Sequence, residues 1–472
     1  MHLLRPLLGK SRLGSIVLAA FLVLSPRLAH AEAHLLIEAD TGKVLEAENA
    51  TVPWYPASVT KIMTAYVTLQ SVKEGKVTLD TLLTVSPLAA SQSPSKMGLK
   101  PGTQVTVDNA LKMMLVKSAN DMAVVLAEGV GGSIYNFSEM MNETAQKLGM
   151  TQTHYVNPNG LPDDGQITSA RDLGILARSF LRDLPEYEYF VHIPAIRFGH
   201  RVTQNFNRLI GRYPGADGFK TGFICAAGYN LVASATRNGR RLIAVVLGAS
   251  SNQMRAVRAA QLLDRGFATS PLSWLRPSLG SVENLVPPEN ASPPDLRDEI
   301  CNGKHHKPSS DEEDTVAGST GSYDSNPMSY TIGLPPPTGN AAAELATDPK
   351  PADPVIVYTG PTRTGAALLA TVEADERGSA KAHGKKTRVV AKIKVRPEAE
   401  DTTTGKSVKS HPGKTEQKPA GVKHAIAATT VPTTRSTSGT ASSPAKPAKP
   451  KPLAARPKTV PKTPSSEARH AG

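Results

Sequence analysis

The sequence predicts one α+β domain, preceded by an export leader and followed by a long disordered tail. Strand-like runs stand at both ends of residues 33–267 with helical periodicity between them, the pattern of two element types sharing one core. Beyond Trp274 the composition changes: the last 198 residues hold 25 of the 38 prolines but only three aromatics, Tyr323, Tyr330 and Tyr358, too few to seed a core. The net charge of +13 is lopsided in the same sense, because residues 401–472 carry 13 Lys and Arg against 3 Asp and Glu. A basic tail, not a basic fold, therefore sets the charge. The boundaries that follow are a leader over 1–31, a folded domain over 32–272 and a Pro/Ala/Lys/Thr-rich tail over 273–472.

In the leader, Arg5, Lys10 and Arg12 precede an apolar stretch from Ile16 to Leu24, and Ala29-His30-Ala31 offers small residues around a cleavage point. The apolar run is well short of the roughly 20 residues that span a bilayer, so a signal peptide cut after Ala31 is expected. The protein is then exported, to the periplasm or the outer face of the cytoplasmic membrane. Residues 33–48 alternate around Asp40-Thr41-Gly42 and read as a hairpin. Ile62, Tyr66 and Leu69 recur at helical spacing after Pro56, and Leu111, Met114 and Leu115 follow an N-cap at Thr106. A further helix over Ile134–Leu148 stops at Gly149, as a C-cap glycine would stop it. Tyr229–Arg237 and Leu242–Leu247, joined through Asn238-Gly239, give the strongest strand signal and are expected to be central. Met254, Val257, Leu262 and Leu263 mark a last amphipathic helix ending near Gly266.

Only two cysteines are present, Cys225 and Cys301, which excludes a disulfide scaffold. An oxidising compartment would let them pair, but Cys301 falls in the expected tail, so free or loosely paired thiols are the expectation. No C-x-x-C or H-E-x-x-H spacing suggests zinc. The reading calls for no metal, no cofactor and no nucleic-acid partner.

Three short motifs carry the chemistry, and each alone is weak. Ser58-Val59-Thr60-Lys61 puts a serine and a lysine three apart, on one face if helical. Ser93–Lys96 and Ser443–Lys446 share the pattern, but only Ser58 opens an apolar helix, where the helix dipole favours charge developing on its oxygen. An ordinary helix-start serine is the bland alternative. Ser118-Ala119-Asn120 lies between two apolar helical stretches, where polar side chains are available to a ligand or merely satisfy a kink. Lys220-Thr221-Gly222 occurs once, on or just before an edge strand; it offers a cation, a hydroxyl and a glycine that lets a substrate backbone approach, with a solvated surface lysine as the alternative.

Order and spacing change the weighing, since Ser118 follows Ser58 by 60 residues and Lys220 follows by a further 102. S-x-x-K, S-x-N and K-T-G in that order mark penicillin-binding proteins and class A β-lactamases. From about residue 33 to 267 the chain closely resembles the serine-type D-alanyl-D-alanine carboxypeptidases, the low-molecular-weight penicillin-binding proteins. The resemblance rests on Pro-Ala-Ser-Val-Thr-Lys-Ile-Met-Thr, Asn-Pro-Asn-Gly-Leu and Asp-Gly-Phe-Lys-Thr-Gly-Phe. It implies a β-lactamase/DD-peptidase-like fold, an antiparallel sheet flanked by a helical cluster. It also implies that Ser58 attacks the carbonyl between the last two D-alanines of a peptidoglycan stem peptide, with Lys61, held neutral, as its base. Ser118 would relay a proton to the leaving amine, Asn120 would hold Lys61 and the substrate amide, Lys220 would add positive potential, and Thr221 would bind the terminal carboxylate. Gly222 and Phe223 would line the substrate strand, the N–H groups of Ser58 and Phe223 forming the oxyanion hole, and Arg255 would meet a carboxylate unless it makes a helix-surface salt bridge.

β-Lactams are the implied inhibitors. Several relatives carry His at the position of Asn159, which leaves the role of that side chain open. Two rivals remain: a β-lactamase, for which no Glu-x-x-x-Asn lies between Ser118 and Lys220, and a non-catalytic wall-tethering protein whose working part is the tail. The basic tail has an electrostatic attraction to anionic membrane or cell wall as its expected role. Val355–Tyr358 and Val389–Val395 read as isolated β-like pieces, not as a second domain.

Overall fold

The computed structural model describes residues 32–268, 278–302, 345, 352–368 and 370. The expected leader, the Val389–Val395 piece and the basic tail over 401–472 lie outside the described residues. Those described belong to one compact unit, residues 1–395; the second unit, 396–472, lies wholly outside them.

The main sheet has five antiparallel strands, in the order Val44–Glu48 (β2), Ala33–Glu38 (β1), Arg240–Ala249 (β9), Gly228–Arg237 (β8) and Ala216–Ile224 (β7). Strands β1 (Ala33–Glu38) and β2 (Val44–Glu48) make the expected hairpin. Two small sheets stand apart, one from β3 (Leu82–Thr84) and β4 (Gln104–Thr106), the other containing β5 (Ala195–Phe198) and β6 (Arg201–Gln204). Strands β7 (Ala216–Ile224), β8 (Gly228–Arg237) and β9 (Arg240–Ala249) complete the main sheet. β8 and β9 are central, as their near-continuous apolar runs predict for strands covered on both faces. Successive side chains of β9 go to opposite sides: Ile243, Val245 and Leu247 join one core cluster, and Leu242, Ala244 and Val246 the other. Each buried Val or Leu contributes about 1.5–3 kcal/mol, an upper estimate because the unfolded chain is already partly collapsed.

The first cluster lies under helices α1 (Lys61–Lys73), α2 (Val107–Val116), α3 (Asn120–Gly131), α4 (Ile134–Leu148) and α5 (Ala170–Asp183). Thr106 caps α2 by accepting from Asn109 N–H at 3.2 Å, and Gly149 closes α4 in the left-handed region. Helix α6 (Asn252–Phe267) covers the other face through Ala256, Ala260 and Leu263. The architecture is thus the α+β sheet with a flanking helical cluster that the sequence predicts.

Two findings correct the expectation for residues beyond 272. Cys225 and Cys301 form a disulfide, so they are neither free nor loosely paired. The strap that carries Cys301 starts at the β1–β2 turn, where Val44 N–H donates to Gly280 O at 2.9 Å, and it buries Val282 and Leu296. Nor is Val355–Tyr358 isolated. Strand β10 (Val355–Val357) pairs parallel with β5, and Gly360 N–H donates to Gln104 O at 2.7 Å. A few apolar residues in a polar, Pro-rich context suffice here because each finds a prepared partner edge, which composition averages conceal.

A chain ended after Leu272 therefore loses the disulfide and β10 together. Closing a loop of 76 residues' separation is worth about 4 kcal/mol in the chain-entropy description, so its melting midpoint should fall by roughly 10 °C relative to a chain ended after Ala370. Equal midpoints by calorimetry would show that the two segments only decorate a domain complete at 272.

Candidate active site

Ser58 sits on a 3-10 turn, Ala57–Thr60, that runs directly into α1. The turn is held from several sides. Trp54 Nε1 donates to Ala227 O at 3.0 Å, and Asn230 on β8 donates from Nδ2 to Tyr55 O and Pro56 O at 2.9 and 3.1 Å. Ala57 has φ of +50° and Ser118 φ of +60°, left-handed conformations that non-glycine residues adopt at a cost of about 1–3 kcal/mol and that concentrate at functional sites. Both lie beside the chemistry that the sequence singles out.

Lys61 opens α1, is wholly buried, and reaches three acceptors: Ser58 Oγ at 2.9 Å, Asn120 Oδ1 at 2.7 Å and the Asn159 carbonyl at 2.6 Å. Ser118 and Asn120 occupy the break between α2 and α3, where a side chain can serve a site instead of a helix face. Asn120 also donates from Nδ2 to Ser93 O at 2.9 Å, and its own N–H donates to Ser95 O at 2.7 Å. Ser93 is thus not a rival nucleophile on a helix but part of the loop that orients Asn120. Next to it, burial pushes the Asp121 carboxyl above the usual carboxylate range, although the N–H groups of Met97, Gly98 and Met122 pull it the other way. Those contacts bind the 93–98 loop to the start of α3.

A cleft of about 530 Å³ opens over these groups, with Ser58, Ser118, Asn120, Asn159 and Phe223 in its lining. Lys220, Thr221 and Gly222 lie on the edge strand β7, as expected, with Lys220 and Thr221 each about 1% exposed. A Cβ on Gly222 would come within 2.8 Å of Ser58 N and 2.9 Å of Val59 N. The observed need for glycine is therefore the approach of the Ser58 turn to the strand, not room for a substrate backbone. That approach sets the main chain of Ser58 beside Gly222 and Phe223.

Arg255 is not the helix-surface residue of the bland alternative. It is 1% exposed, and its guanidinium donates to Gly222 O at 3.1 Å, Asn230 O at 3.4 Å and Asn252 Oδ1 at 2.9 Å, 5.5 Å from the Tyr229 ring. Like Lys220 and Thr221 it lies behind the residues that line the cleft, not on a helix surface, and it ties α6 to the strand that bears the motif. Asn159 lines the cleft and donates from Nδ2 to Gln92 Oε1 at 2.9 Å, which fixes the loop whose carbonyl meets Lys61. The next residue, Gly160, has φ of +79°, and a Cβ there would lie 1.8 Å from Ala57 O.

Sequence reasoning missed Asn230 and Gln92, and it quoted Gly160 only as part of Asn-Pro-Asn-Gly-Leu, with no role. Asn230 carries a readable trace, a polar amide between Tyr229 and Leu231 in the first half of β8, whereas Gln92 carries none without the fold. Among the described residues, no cluster of His, Cys, Asp and Glu could hold a metal ion.

A family model described as D-alanyl-D-alanine carboxypeptidase matches residues 22–251. The D-alanyl-D-alanine carboxypeptidase DacC of Escherichia coli is 41% identical over 245 residues, 50% of this chain and 61% of that protein. The chain thus spans about three-fifths of that relative's length. DacB2 of Mycobacterium tuberculosis, also a D-alanyl-D-alanine carboxypeptidase, is 31% identical over 262 residues, 53% of this chain and 86% of that one. The solved structure of penicillin binding protein 5 from Haemophilus influenzae is 37% identical, with a TM-score of 0.49, over 52% of this chain and 72% of that chain. With 86% of DacB2 covered at 31% identity, the chain belongs to the S11 peptidase family of D-alanyl-D-alanine carboxypeptidases.

Proposed function

We propose that the protein is a serine DD-carboxypeptidase that removes the terminal D-alanine from peptidoglycan pentapeptide stems. The observation that carries this reading is the contact of the fully buried Lys61 Nζ with Ser58 Oγ at 2.9 Å, with Asn120 and the Asn159 carbonyl holding the amine in place. With that amine neutral, the same contact passes the hydroxyl proton to nitrogen as Oγ attacks the carbonyl between the two D-alanines. The N–H groups of Ser58 and Phe223 donate to the carbonyl oxygen and stabilise the charge that develops on it. Ser118 passes a proton to the departing amine, free D-alanine leaves, and water cleaves the acyl-enzyme. Lys220 and Thr221 hold the terminal carboxylate. Arg255 acts behind them as a positioning residue for β7. The leader pattern and the Cys225–Cys301 bond support an exported enzyme, acting in the periplasm or at the outer face of the cytoplasmic membrane. The domain proposed for this work comprises residues 32–272 together with the strap and β10, and the basic tail serves as an electrostatic contact to anionic membrane or wall.

Mass spectrometry of a D-Ala-D-Ala pentapeptide incubated with the protein should show loss of one alanine residue. No carboxylate lines the cleft among the described residues, so nothing there resembles the Glu that class A β-lactamases use for deacylation. A penicilloyl adduct is therefore expected to outlast the peptide acyl-enzyme by orders of magnitude, making penicillin an inhibitor. Rapid multiple turnover of penicillin without peptide cleavage would replace this reading with a β-lactamase.

A further inference from the structure

The strap that carries Cys301 supplies part of the cleft wall. Leu296 N–H donates to Ala226 O at 3.0 Å, Cys301 is bonded to Cys225, and both Cys225 and Ala226 line the cleft next to Phe223 and Ile224. Between these two ties lies Arg297, which lines the same cleft and is its one charged residue among the described lining. Its side chain is half exposed. Nη1 meets Asp295 Oδ2 at 2.6 Å and the backbone N–H donates to Asp295 Oδ1 at 3.0 Å, while Nε and Nη2 have no protein partner among the described residues. Asp295 thus fixes one side of the fork and leaves the other available. Arg297 lies beyond residues 22–251, so it belongs to this chain and not to the stretch that the family model matches.

The direction of β7 tells which part of a substrate would meet this cation. The strand runs from Lys220 and Thr221 through Phe223 to Ile224, and then turns at Ala226 under the strap. A peptide with its terminal carboxylate at Thr221 and its reacting carbonyl over Ser58 extends its acyl side toward Ile224. At about 3.3 Å per residue, the side chain before the two D-alanines falls near the end of the strand.

We propose that Arg297 is a subsite for a carboxylate borne by the third residue of the stem, so that the enzyme favours a third residue ending in an amine and a carboxylate over one ending in an amine alone. This rests on the DD-carboxypeptidase reading. A planar guanidinium pairs with a carboxylate through two parallel N–H bonds and repels a lone ammonium, so attraction and repulsion discriminate in the same direction. Partial exposure and the hold of Asp295 limit the effect to roughly two- to fivefold.

The test uses the full-length protein and two pentapeptides that differ only in the third residue, meso-diaminopimelate or L-lysine, with D-alanine release as readout. The ratio of kcat/KM between the peptides does not depend on how much folded enzyme a preparation holds. Wild type should favour the diaminopimelate peptide by about two- to fivefold, chiefly through KM. Arg297→Ala should bring the ratio close to one, Arg297→Lys should restore part of it, and Arg297→Glu should invert it. A wild-type ratio near one, or a ratio unchanged in Arg297→Ala, overturns the subsite and leaves Arg297 as a support of the strap. Release from neither peptide, by contrast, sinks the carboxypeptidase reading itself, and this inference with it.

Discussion

Ser58→Ala is expected to abolish covalent labelling by penicillin and to take D-alanine release below detection, because the variant has no oxygen to form the acyl bond. Lys61→Arg should be nearly as severe, a loss of about 10²–10⁴-fold in acylation rate, the range that a positioned general base contributes. Arginine stays protonated, so it cannot accept the Ser58 proton, and its fork does not fit a pocket that holds a compact amine between Ser58 Oγ, Asn120 Oδ1 and the Asn159 carbonyl. Lys220→Arg keeps a positive charge on β7 and should retain part of the activity. Labelled penicillin on gels, with rates from stopped reactions, reads all three. Labelling of Ser58→Ala at another serine, or equal losses in Lys61→Arg and Lys220→Arg, would show that the roles are misassigned.

The parts of the site that could be read from the sequence are those whose chemistry is local. Ser58 and Lys61 are one helical turn apart, Ser118 and Asn120 are two residues apart, and Lys220 begins a tripeptide, so each motif survives without knowledge of the fold. The central strands were legible for a similar reason: Leu242–Leu247 is apolar on both faces, and Asn238-Gly239 favours the turn. Contacts between distant segments were not legible. Asn230 is 174 residues from the Pro56 carbonyl it holds, and no periodicity encodes that pairing. Arg255 was expected to meet a carboxylate because a guanidinium suits one; its burial against the main-chain carbonyls of Gly222 and Asn230 is a packing fact that no local pattern encodes. The strap and β10 escaped detection because a handful of residues, Val282, Leu296, Cys301 and Val357, bury themselves within stretches whose average composition is that of a solvated chain.

Gly160→Ala should cost both stability and activity, and the pairing of two nearby glycines tests whether the Ser58 turn is as tightly positioned as the contacts imply. A Cβ at Gly160 meets Ala57 O at 1.8 Å, a backbone atom that cannot rotate away, and the residue's φ of +79° adds strain of its own. The turn or the loop has to shift. A destabilisation of about 2–4 kcal/mol, hence a melting midpoint lower by roughly 5–15 °C, is expected. Because the adjacent Asn159 carbonyl holds Lys61, the shift also moves the base. Gly222→Ala presses on the same turn from the strand side, at 2.8 Å from Ser58 N, and should lower penicillin acylation by about 10²-fold, the cost of a misplacement near 1 Å. Gly75→Ala separates strain from contact, since Gly75 has φ of +72° but nothing within 4 Å of its added Cβ. It should lower the midpoint slightly, by the left-handed cost alone, and leave acylation rates as they are. If Gly160→Ala and Gly222→Ala resemble Gly75→Ala in acylation rate, the turn is free to adjust, and close packing against β7 and the 157–161 loop is not what sets Ser58 in place.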